Sequence, residues 1–343
     1  MAKILVIRLS AIGDVAMTVP AIYAAAKANP EDSFVVLTQA FLIPAFMNRP
    51  GNVEVTGISI TGPEKTFCGL FRFAWAFSKY DFDIVLDLHN VLRTMIIRTL
   101  FRLKGKKVFV VNKARKERRQ LTARKNKVLK PIRPVIERYA DVFKAADIHS
   151  AESFHSLFDE RPVNLSLLTE ALGEKNGKWI GIAPFAKHKG KIYPIDRMRQ
   201  IVEALSERED YTLFLLGAKG DEEFIMEQWA QQFPRVRMIV GRYSLDKELA
   251  LISRLDVLLC MDSANMHFAS LVGTRVLSVW GATHPYAGFY GYHQRPEDAI
   301  QVALDCRPCS IFGEKPCFRG DWACLTQLPS QQIIDKIEEI LSA

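Results

Sequence analysis

The chain has 343 residues, of which 49% are hydrophobic and 24% charged, a balance typical of a globular protein with a large buried core. This composition excludes collagen-like, disordered and small disulfide-stapled classes, and at roughly 150 residues per domain the length indicates two domains. The first apolar run, residues 4–7, is too short for a signal peptide, and the sequence has no apolar stretch of about 20 residues. We therefore expect a cytoplasmic protein.

The formal net charge of +8 is concentrated in one segment. Between Arg102 and Arg138 there are 15 Lys and Arg residues against Glu117 and Glu137, a local net charge of +13, so the rest of the chain carries −5. Such a segment indicates an anionic partner, namely a membrane surface, a phosphorylated glycolipid or nucleic acid; a solvated helical face is the alternative. Few aromatic side chains interleave with these charges, which disfavours nucleic acid.

The chain alternates apolar, β-branched runs with stretches of helical spacing, which is typical of parallel sheets covered on both faces. In the first half, strands are predicted at 4–8, 34–38, 53–58, 83–88 and 107–111, and helices at 15–28, 41–48, 64–79, 91–103 and 136–146. After a linker at 173–178, strands are predicted at 179–183, 211–216, 236–240, 256–261 and 275–280, with helices between them and a last helix at 330–341. The sequence thus predicts an α/β protein with two doubly wound domains, 1–172 and 179–329, and a C-terminal helix, 330–343.

The loop after the first predicted strand contains Ser10, Gly13 and Asp14. Ligands of open α/β sheets bind where strands enter helices, so this loop is a candidate site. It has too few glycines for a dinucleotide fingerprint and no Gly-Lys-Ser/Thr for a P-loop. Gly13 allows a ligand to approach the backbone, and Asp14 lies at a helix N-terminus; a simple helix-capping role for Asp14 is the alternative.

Three loops of the second half carry further candidates. Residues 184–194 include Lys187 and Lys191 at a strand end, which is typical of phosphate binding, although a solvated turn has the same composition. The next loops contribute small and polar residues at two further strand ends: Asp262, Ser263, Ala264 and His267, and then Gly281 and Thr283. Ser263 and Ala264 open a helix whose first N–H groups are able to hold a diphosphate.

Together these loops resemble the ADP-heptose:lipopolysaccharide heptosyltransferases of glycosyltransferase family 9. The resemblance covers nearly the whole chain and rests on Ser10…Gly13-Asp14, Lys191-x-Tyr193-Pro194, Asp262-Ser263-Ala264-x-x-His267 and Gly281-x-Thr283-x-Pro285. The family usually has Asp-Thr-Gly where this chain has Asp262-Ser263-Ala264, which keeps a hydroxyl and a small residue but leaves the sugar open.

The resemblance implies a GT-B architecture, with two Rossmann-like domains facing a cleft and the C-terminal helix returning to the first domain. It implies that Asp14 is the general base of an inverting, metal-independent transfer, and that Lys191 and Ser263 bind the leaving diphosphate. Asp262 and His267 would hold sugar hydroxyls or the diphosphate. Ser10 and Gly13 would line the same crevice.

Four of the six cysteines lie within a short stretch: Cys306, Cys309, Cys317 and Cys324. The opening C-x₂-C and the following intervals are compatible with a structural Cys₄ zinc site. Free thiols and disulfides are the alternatives, and no catalytic role is indicated.

The expected function is transfer of a heptose, or a similar sugar, from ADP-heptose to the inner core of lipopolysaccharide. The enzyme would lie at the cytoplasmic surface of the inner membrane, held by the basic segment 102–138, with no required cofactor. A GT-B nucleotide-sugar epimerase, a transferase of another sugar, and a nucleic-acid-binding protein are the alternatives.

Overall fold

The computed structural model describes residues 1–59, 61–150, 154–163 and 172–342 and divides the chain into two compact units. Unit 1 comprises residues 1–113 and 133–161, and unit 2 comprises residues 114–132 and 162–343. The predicted boundary at residue 172 therefore lies eleven residues beyond the end of unit 1, and the central part of the basic segment, expected on the first domain, belongs to unit 2.

Unit 1 is built on a five-stranded parallel sheet in the order β3-β2-β1-β4-β5. Its strands are β1 (Lys3–Ile7), β2 (Ser33–Gln39), β3 (Val53–Ile58), β4 (Ile84–Asp87) and β5 (Lys107–Val110). Its α-helices are α1 (Ile12–Ala16), α2 (Thr18–Ala28), α3 (Phe67–Phe77), α4 (Leu92–Leu103) and α6 (Val135–Ala145), whereas α5 (Arg115–Leu121) belongs to unit 2. Two 3₁₀ helices cover Ala40–Phe46 and Pro63–Lys65.

The core of unit 1 explains why these segments form its sheet. The β1 residues from Ile4 to Ile7 are fully buried, as expected for a central strand covered on both faces. On one of these faces, Leu5 and Ile7 pack in a single apolar cluster with the inner sides of α3 and α4, through residues such as Leu70 and Ile97. Both helices therefore cover the same face of the sheet.

Unit 2 is built on a six-stranded parallel sheet in the order β11-β10-β9-β6-β7-β8. Its strands are β6 (Lys178–Ala183), β7 (Tyr211–Leu215), β8 (Val236–Met238), β9 (Val257–Met261), β10 (Val276–Trp280) and β11 (Ala299–Gln301). Its α-helices are α5 (Arg115–Leu121), α7 (Ile195–Ser206), α8 (Asp221–Gln232), α9 (Leu245–Ile252), α10 (Ala264–Leu271), α11 (Ala323–Thr326) and α12 (Ser330–Ser342); 3₁₀ helices cover Lys189–Lys191, Pro285–Ala287 and Pro296–Asp298.

The C-terminal helix α12 packs inside unit 2, against α7 and β9. Its buried side chains Ile333, Ile337 and Ile340 belong to the main apolar cluster of that unit. The family resemblance predicts instead that this helix packs on the first domain. The structure differs from this prediction, because the three isoleucines that form the apolar side of the helix are buried against α7 and β9 of unit 2.

Residues 114–132, with α5, are held on unit 2 by both apolar and polar contacts. Leu121 and Ile132 are buried with Ala287, and the Arg118 guanidinium lies 4.9 Å from the centroid of the Phe289 ring. The Lys127 ammonium donates to the carbonyl oxygens of residues 305, 306 and 308 at 2.8–3.1 Å. Part of the charge in the basic segment therefore serves packing within unit 2.

Within the described ranges, no helix has the length and apolar character needed to cross a bilayer.

Candidate active site

The loop after β1 leads into α1, and Asp14 lies in the first turn of that helix. There its carboxylate forms an ion pair with Arg8, which follows the last residue of β1. One Arg8 Nη atom lies 2.5 Å from Asp14 Oδ2. The Ala11 backbone N–H also donates to Oδ2, at 3.4 Å. No described residue donates to Asp14 Oδ1, so this oxygen remains able to accept a proton.

Arg8 is itself fixed on several sides. Its other Nη donates to the Leu88 carbonyl oxygen at 2.6 Å, and its guanidinium lies 5.8 Å from the centroid of the Tyr139 ring. The Arg8 side chain is only 8% exposed, and that of Asp14 is 19% exposed. A buried guanidinium thus holds the carboxylate in one position.

His89 follows β4, the strand adjacent to β1, and touches the same loop. Its Nδ1 accepts a hydrogen bond from the Leu9 N–H at 3.4 Å, and its Nε2 lies 3.3 Å from Ser10 Oγ. Burial, with the nearby positive charge of Arg8 adding to it, lowers the pKa of His89 to about 3. The ring is therefore neutral, its proton sits on Nε2, and it donates to Ser10 Oγ.

Asp87 shapes the turn that carries His89. Its buried carboxylate accepts from the backbone N–H groups of His89 and Asn90, at 2.9 and 2.8 Å, and from Arg98 at 2.7 Å. The Arg98 side chain also donates to the Asn90 side-chain oxygen at 3.0 Å. This network of charged hydrogen bonds holds the β4 end rigidly beside the β1 loop.

In unit 2, Lys191 and Asp262 meet at the carboxyl edge of the sheet. The Lys191 ammonium lies 3.0 Å from Asp262 Oδ2, and both side chains are largely buried. Lys191 ends the 3₁₀ turn after β6, and Asp262 directly follows β9, the neighbouring strand. Lys187, in contrast, is exposed earlier in the same loop.

Tyr193 anchors the loop that carries Lys191. Its side chain is fully buried, and its hydroxyl donates to the Leu328 carbonyl oxygen at 2.7 Å. Its backbone N–H donates to the Met261 sulfur at 3.2 Å, which ties it to the end of β9. The Lys191-x-Tyr193 spacing therefore joins a charged residue to a structural anchor.

Two glycines let the loops after β6 and β10 approach closely. A Cβ on Gly281 would lie 2.5 Å from the Gly190 carbonyl oxygen, and one on Gly190 would lie 2.8 Å from the Gly313 carbonyl oxygen. The Ala282 N–H donates to the Gly190 carbonyl oxygen at 2.8 Å. Gly281 is thus needed for packing of the loop backbones at this edge.

Two hydroxyls at the same edge have no hydrogen-bond partner among the described residues: Ser263 Oγ and Thr283 Oγ1, both buried atoms. Ser263 is the N-cap residue of α10, but its side chain makes no capping hydrogen bond. Ala264 is the first residue of α10, and His267 is buried in its second turn. Buried polar groups without partners are unfavourable, so these hydroxyls indicate a polar ligand at the N-terminus of α10.

Arg307 holds the loop after β10 by hydrogen bonds to its backbone carbonyl oxygens. Its buried guanidinium donates to the carbonyl oxygens of Trp280, Gly281 and Thr283 at 2.5–3.1 Å. It also donates to the Val302 carbonyl oxygen at 2.6 Å. Arg307 therefore helps to hold the loop that carries Thr283.

The four clustered cysteines are reduced thiols near one another. Burial raises the pKa of Cys324 to about 11 and raises that of Cys309, and in both cases neighbouring thiols add to the rise. In the described part of the chain, no three His, Cys, Asp or Glu side chains come together to hold a metal ion. The arrangement therefore gives no support to the zinc site expected at Cys306, Cys309, Cys317 and Cys324.

Comparison with known proteins identifies the chain. Residues 70–311 match the family model of glycosyltransferase family 9 (heptosyltransferase), which is more than half of the chain. The chain belongs to glycosyltransferase family 9. The predicted family and the predicted glycosyltransferase class are thereby confirmed. A search of the curated proteins finds no match.

Solved structures share the fold of this family 9 glycosyltransferase over almost its full length. A glycosyltransferase of family 9 from Veillonella parvula has a TM-score of 0.74 at 17% identity, covering 99% of this chain and 97% of that chain. The E. coli ADP-heptose lipopolysaccharide heptosyltransferase II has a TM-score of 0.72 at 17% identity, covering 99% of this chain and 98% of that chain. E. coli heptosyltransferase WaaC with ADP-2-deoxy-2-fluoro heptose has a TM-score of 0.68 at 16% identity, covering 98% of this chain and 99% of that chain. The predicted α/β, GT-B fold class is confirmed.

Most of the polar residues at these strand ends are predicted from the sequence, but three residues that support them are not. The structure brings Ser10 and Asp14 together in unit 1, and it brings Lys191 to Asp262 in unit 2. Arg8, His89 and Arg307 were missed, although His89 follows a strand next to β1 in the sheet and a search of every strand end would have found it. The roles assigned to the selected residues remain predictions.

Proposed function

We propose that this glycosyltransferase transfers a heptose from ADP-heptose to the inner core of lipopolysaccharide, with inversion and without a catalytic metal. Its membership of family 9 carries this proposal. The donor assignment is supported by the E. coli structure that has the same fold and contains ADP-2-deoxy-2-fluoro heptose. The Lys191 ammonium and the Ser263 and Thr283 hydroxyls, which have no hydrogen-bond partner among the described residues, offer the groups that a diphosphate requires.

In the proposed mechanism, Asp14 acts as the general base. Its Oδ1 accepts the proton of the acceptor hydroxyl while that oxygen attacks the anomeric carbon on the face opposite the diphosphate. Because one displacement occurs, the anomeric configuration inverts. Arg8 keeps the carboxylate in place through Oδ2, and the neutral His89 holds Ser10 of the same loop.

The leaving ADP gains negative charge as the glycosidic bond breaks. Lys191 is placed to neutralise it, and the first N–H groups of α10, with Ser263 and Thr283, donate hydrogen bonds to phosphate oxygens. Asp262 positions Lys191 through their ion pair.

The test is a transfer assay with ADP-heptose and a deacylated inner-core acceptor, analysed by mass spectrometry and by NMR at the anomeric proton. We expect a product heavier by one heptose, with inverted configuration and a rate unchanged by EDTA. Conversion of the nucleotide sugar without an acceptor would instead show an epimerase. A panel of other nucleotide sugars distinguishes a different donor.

We propose further that the enzyme lies peripherally at the cytoplasmic face of the inner membrane and that exposed residues of the basic segment meet anionic phosphates there. Arg115, Lys116 and Arg119 are exposed, whereas Arg118 is half-buried against Phe289. Reversing the three exposed charges to Glu should raise the KM for a phosphorylated acceptor and leave the KM for the donor unchanged. An equal rise for the donor would contradict this role.

A further inference from the structure

The outer side of α3 is apolar although it faces solvent. Phe67, Phe71 and Trp75 recur at every fourth residue, so they form a row along the helix. Phe67 is 69% exposed and Trp75 is 56% exposed. The rings of Phe71 and Trp75 are stacked, with centroids 6.4 Å apart. Leu70, Ala74 and Phe77 of the same helix are buried in the core, and Arg72 is its single charged residue, so the exposed side of α3 is largely apolar, which is unusual for a helix facing water.

α4 extends the same surface. It packs against α3 on the same face of the sheet of unit 1, so the outer sides of both helices point the same way. Its outer side also exposes apolar side chains. We call the following residues the apolar face: Phe67, Phe71, Trp75, Leu92, Met95 and Leu103.

The charged residues within α3 and α4 are all basic, although Glu64 lies in the 3₁₀ turn just before α3. Neither α3 nor α4 contains an Asp or Glu, whereas Arg72 and Arg102 are exposed on them. The acidic residue that follows α3 most closely, Asp81, is paired with Lys106 at 2.6 Å. An apolar surface with positive charge at its margins complements a partner that is both apolar and anionic.

We propose that the apolar face is a membrane-contacting surface, with its side chains inserted among the headgroups of an anionic phospholipid bilayer. Trp and Phe beside Arg are the side chains that favour the boundary between headgroups and acyl chains. A second copy of the chain is a poorer occupant, because pairing two such faces would bring Arg72 and Arg102 against like charges. The proposal does not depend on the transfer reaction, and it concerns unit 1, whereas the central part of the basic segment belongs to unit 2.

The first test is co-sedimentation of the full chain with vesicles that contain phosphatidylglycerol, compared with vesicles of phosphatidylcholine alone. We expect binding to the anionic vesicles, and we expect the variant F67S/F71S/W75S to bind at least about tenfold more weakly, since three partly inserted rings are removed. The matched control is F224S, because Phe224 is 63% exposed on α8 of unit 2. A circular dichroism spectrum and a melting temperature like those of the wild type show that unit 1 remains folded, and unchanged ADP affinity shows that the donor site assigned to unit 2 is intact.

The second test uses vesicles with brominated acyl chains, which quench inserted tryptophan. Trp179, Trp229 and Trp280 are buried and Trp322 of unit 2 is half-buried, so the part of the quenching that W75F removes reports on Trp75. Quenching should occur in the wild type and be lost in W75F while vesicle binding persists. The proposal is overturned if the wild type binds no anionic vesicles or if the triple variant binds as well as the wild type. Self-association that the triple variant abolishes would overturn it in favour of a second copy.

Discussion

Replacement of Asp14 by Asn is the sharpest test of the mechanism, because the change removes the base while keeping the shape of the side chain. Loss of a general base typically costs roughly 10²–10⁴-fold in rate, or about 3–5 kcal/mol of transition-state stabilisation. ADP affinity should be unaffected, since the donor groups that we assign lie on unit 2. Transfer kinetics and calorimetry with ADP measure the two effects separately.

The same change also affects stability, and its magnitude follows from the Arg8 ion pair. Removing one partner of a buried pair costs about 3–5 kcal/mol. Here Asp14 is 19% exposed, and Asn keeps an oxygen that accepts from Arg8, so we expect a loss nearer 1–2 kcal/mol. Such a loss lowers the melting temperature by a few degrees and leaves the enzyme folded at assay temperature.

The matched control is Asp81→Asn in the same unit, where an exposed carboxylate pairs with Lys106 in a surface ion pair that contributes little to stability. It should leave the rate unchanged. An Asp14→Asn enzyme that turns over within about threefold of the wild type would refute the base assignment. An enzyme that loses ADP affinity in proportion to its rate would show that Asp14 binds the donor.

Three further outcomes are expected. Lys191→Ala should weaken ADP binding by about 10- to 100-fold in calorimetry, since it removes a charge-assisted hydrogen bond; unchanged affinity would separate Lys191 from the diphosphate. Thr283→Val should weaken ADP-heptose binding and yet stabilise the ligand-free enzyme by about 1 kcal/mol in thermal unfolding, because it removes a buried hydroxyl without a partner among the described residues. Burial lowers the pKa of His89 to about 3 in the folded state, whereas in the unfolded state it is about 6.5. Between pH 6.5 and 3 only the unfolded state binds this proton, so the free energy of unfolding falls as the pH falls. Between pH 7 and 5 in urea titrations, His89→Gln should therefore lose about 2 kcal/mol less than the wild type; equal losses would contradict the buried neutral ring.

Much of the fold was predictable because buried parallel strands are continuous apolar runs. β3 lies at the predicted residues, and the other nine predicted strands differ by one or two residues at their ends. The edge strand β11 was missed because three residues carry too little periodicity. The predicted helix at 41–48 is a 3₁₀ helix instead, with Pro44 inside it.

The membership of α5 in unit 2 could not be predicted from local pattern. Leu121 and Ile132, which bury this segment, are eleven residues apart, and their partner Ala287 lies more than 150 residues further along the chain. Charge dominates the residues between them and predicts a solvated or anion-binding segment. The packing of Leu121 and Ile132 against Ala287 shows instead that the segment is part of unit 2.

The site was predictable where a polar residue directly follows a strand, as with Asp14 and Asp262. Arg8 and Arg307 act differently, since they support the site from within the core. When an arginine stands beside apolar residues, the sequence does not show whether its side chain is buried and holds a neighbouring loop or is exposed to solvent. The pairing of Arg8 with Asp14 therefore becomes visible only in the folded structure.

The course of the chain between the two units limits how this enzyme can be divided or recombined. Because residues 114–132 belong to unit 2, the backbone passes from one unit to the other three times, after residues 113, 132 and 161. A fragment that begins at residue 162 would lack Leu121 and Ile132 and would leave their apolar partners on unit 2 uncovered. Exchange of donor domains between relatives, whether by engineering or by gene recombination, would therefore have to transfer two separate stretches of sequence together.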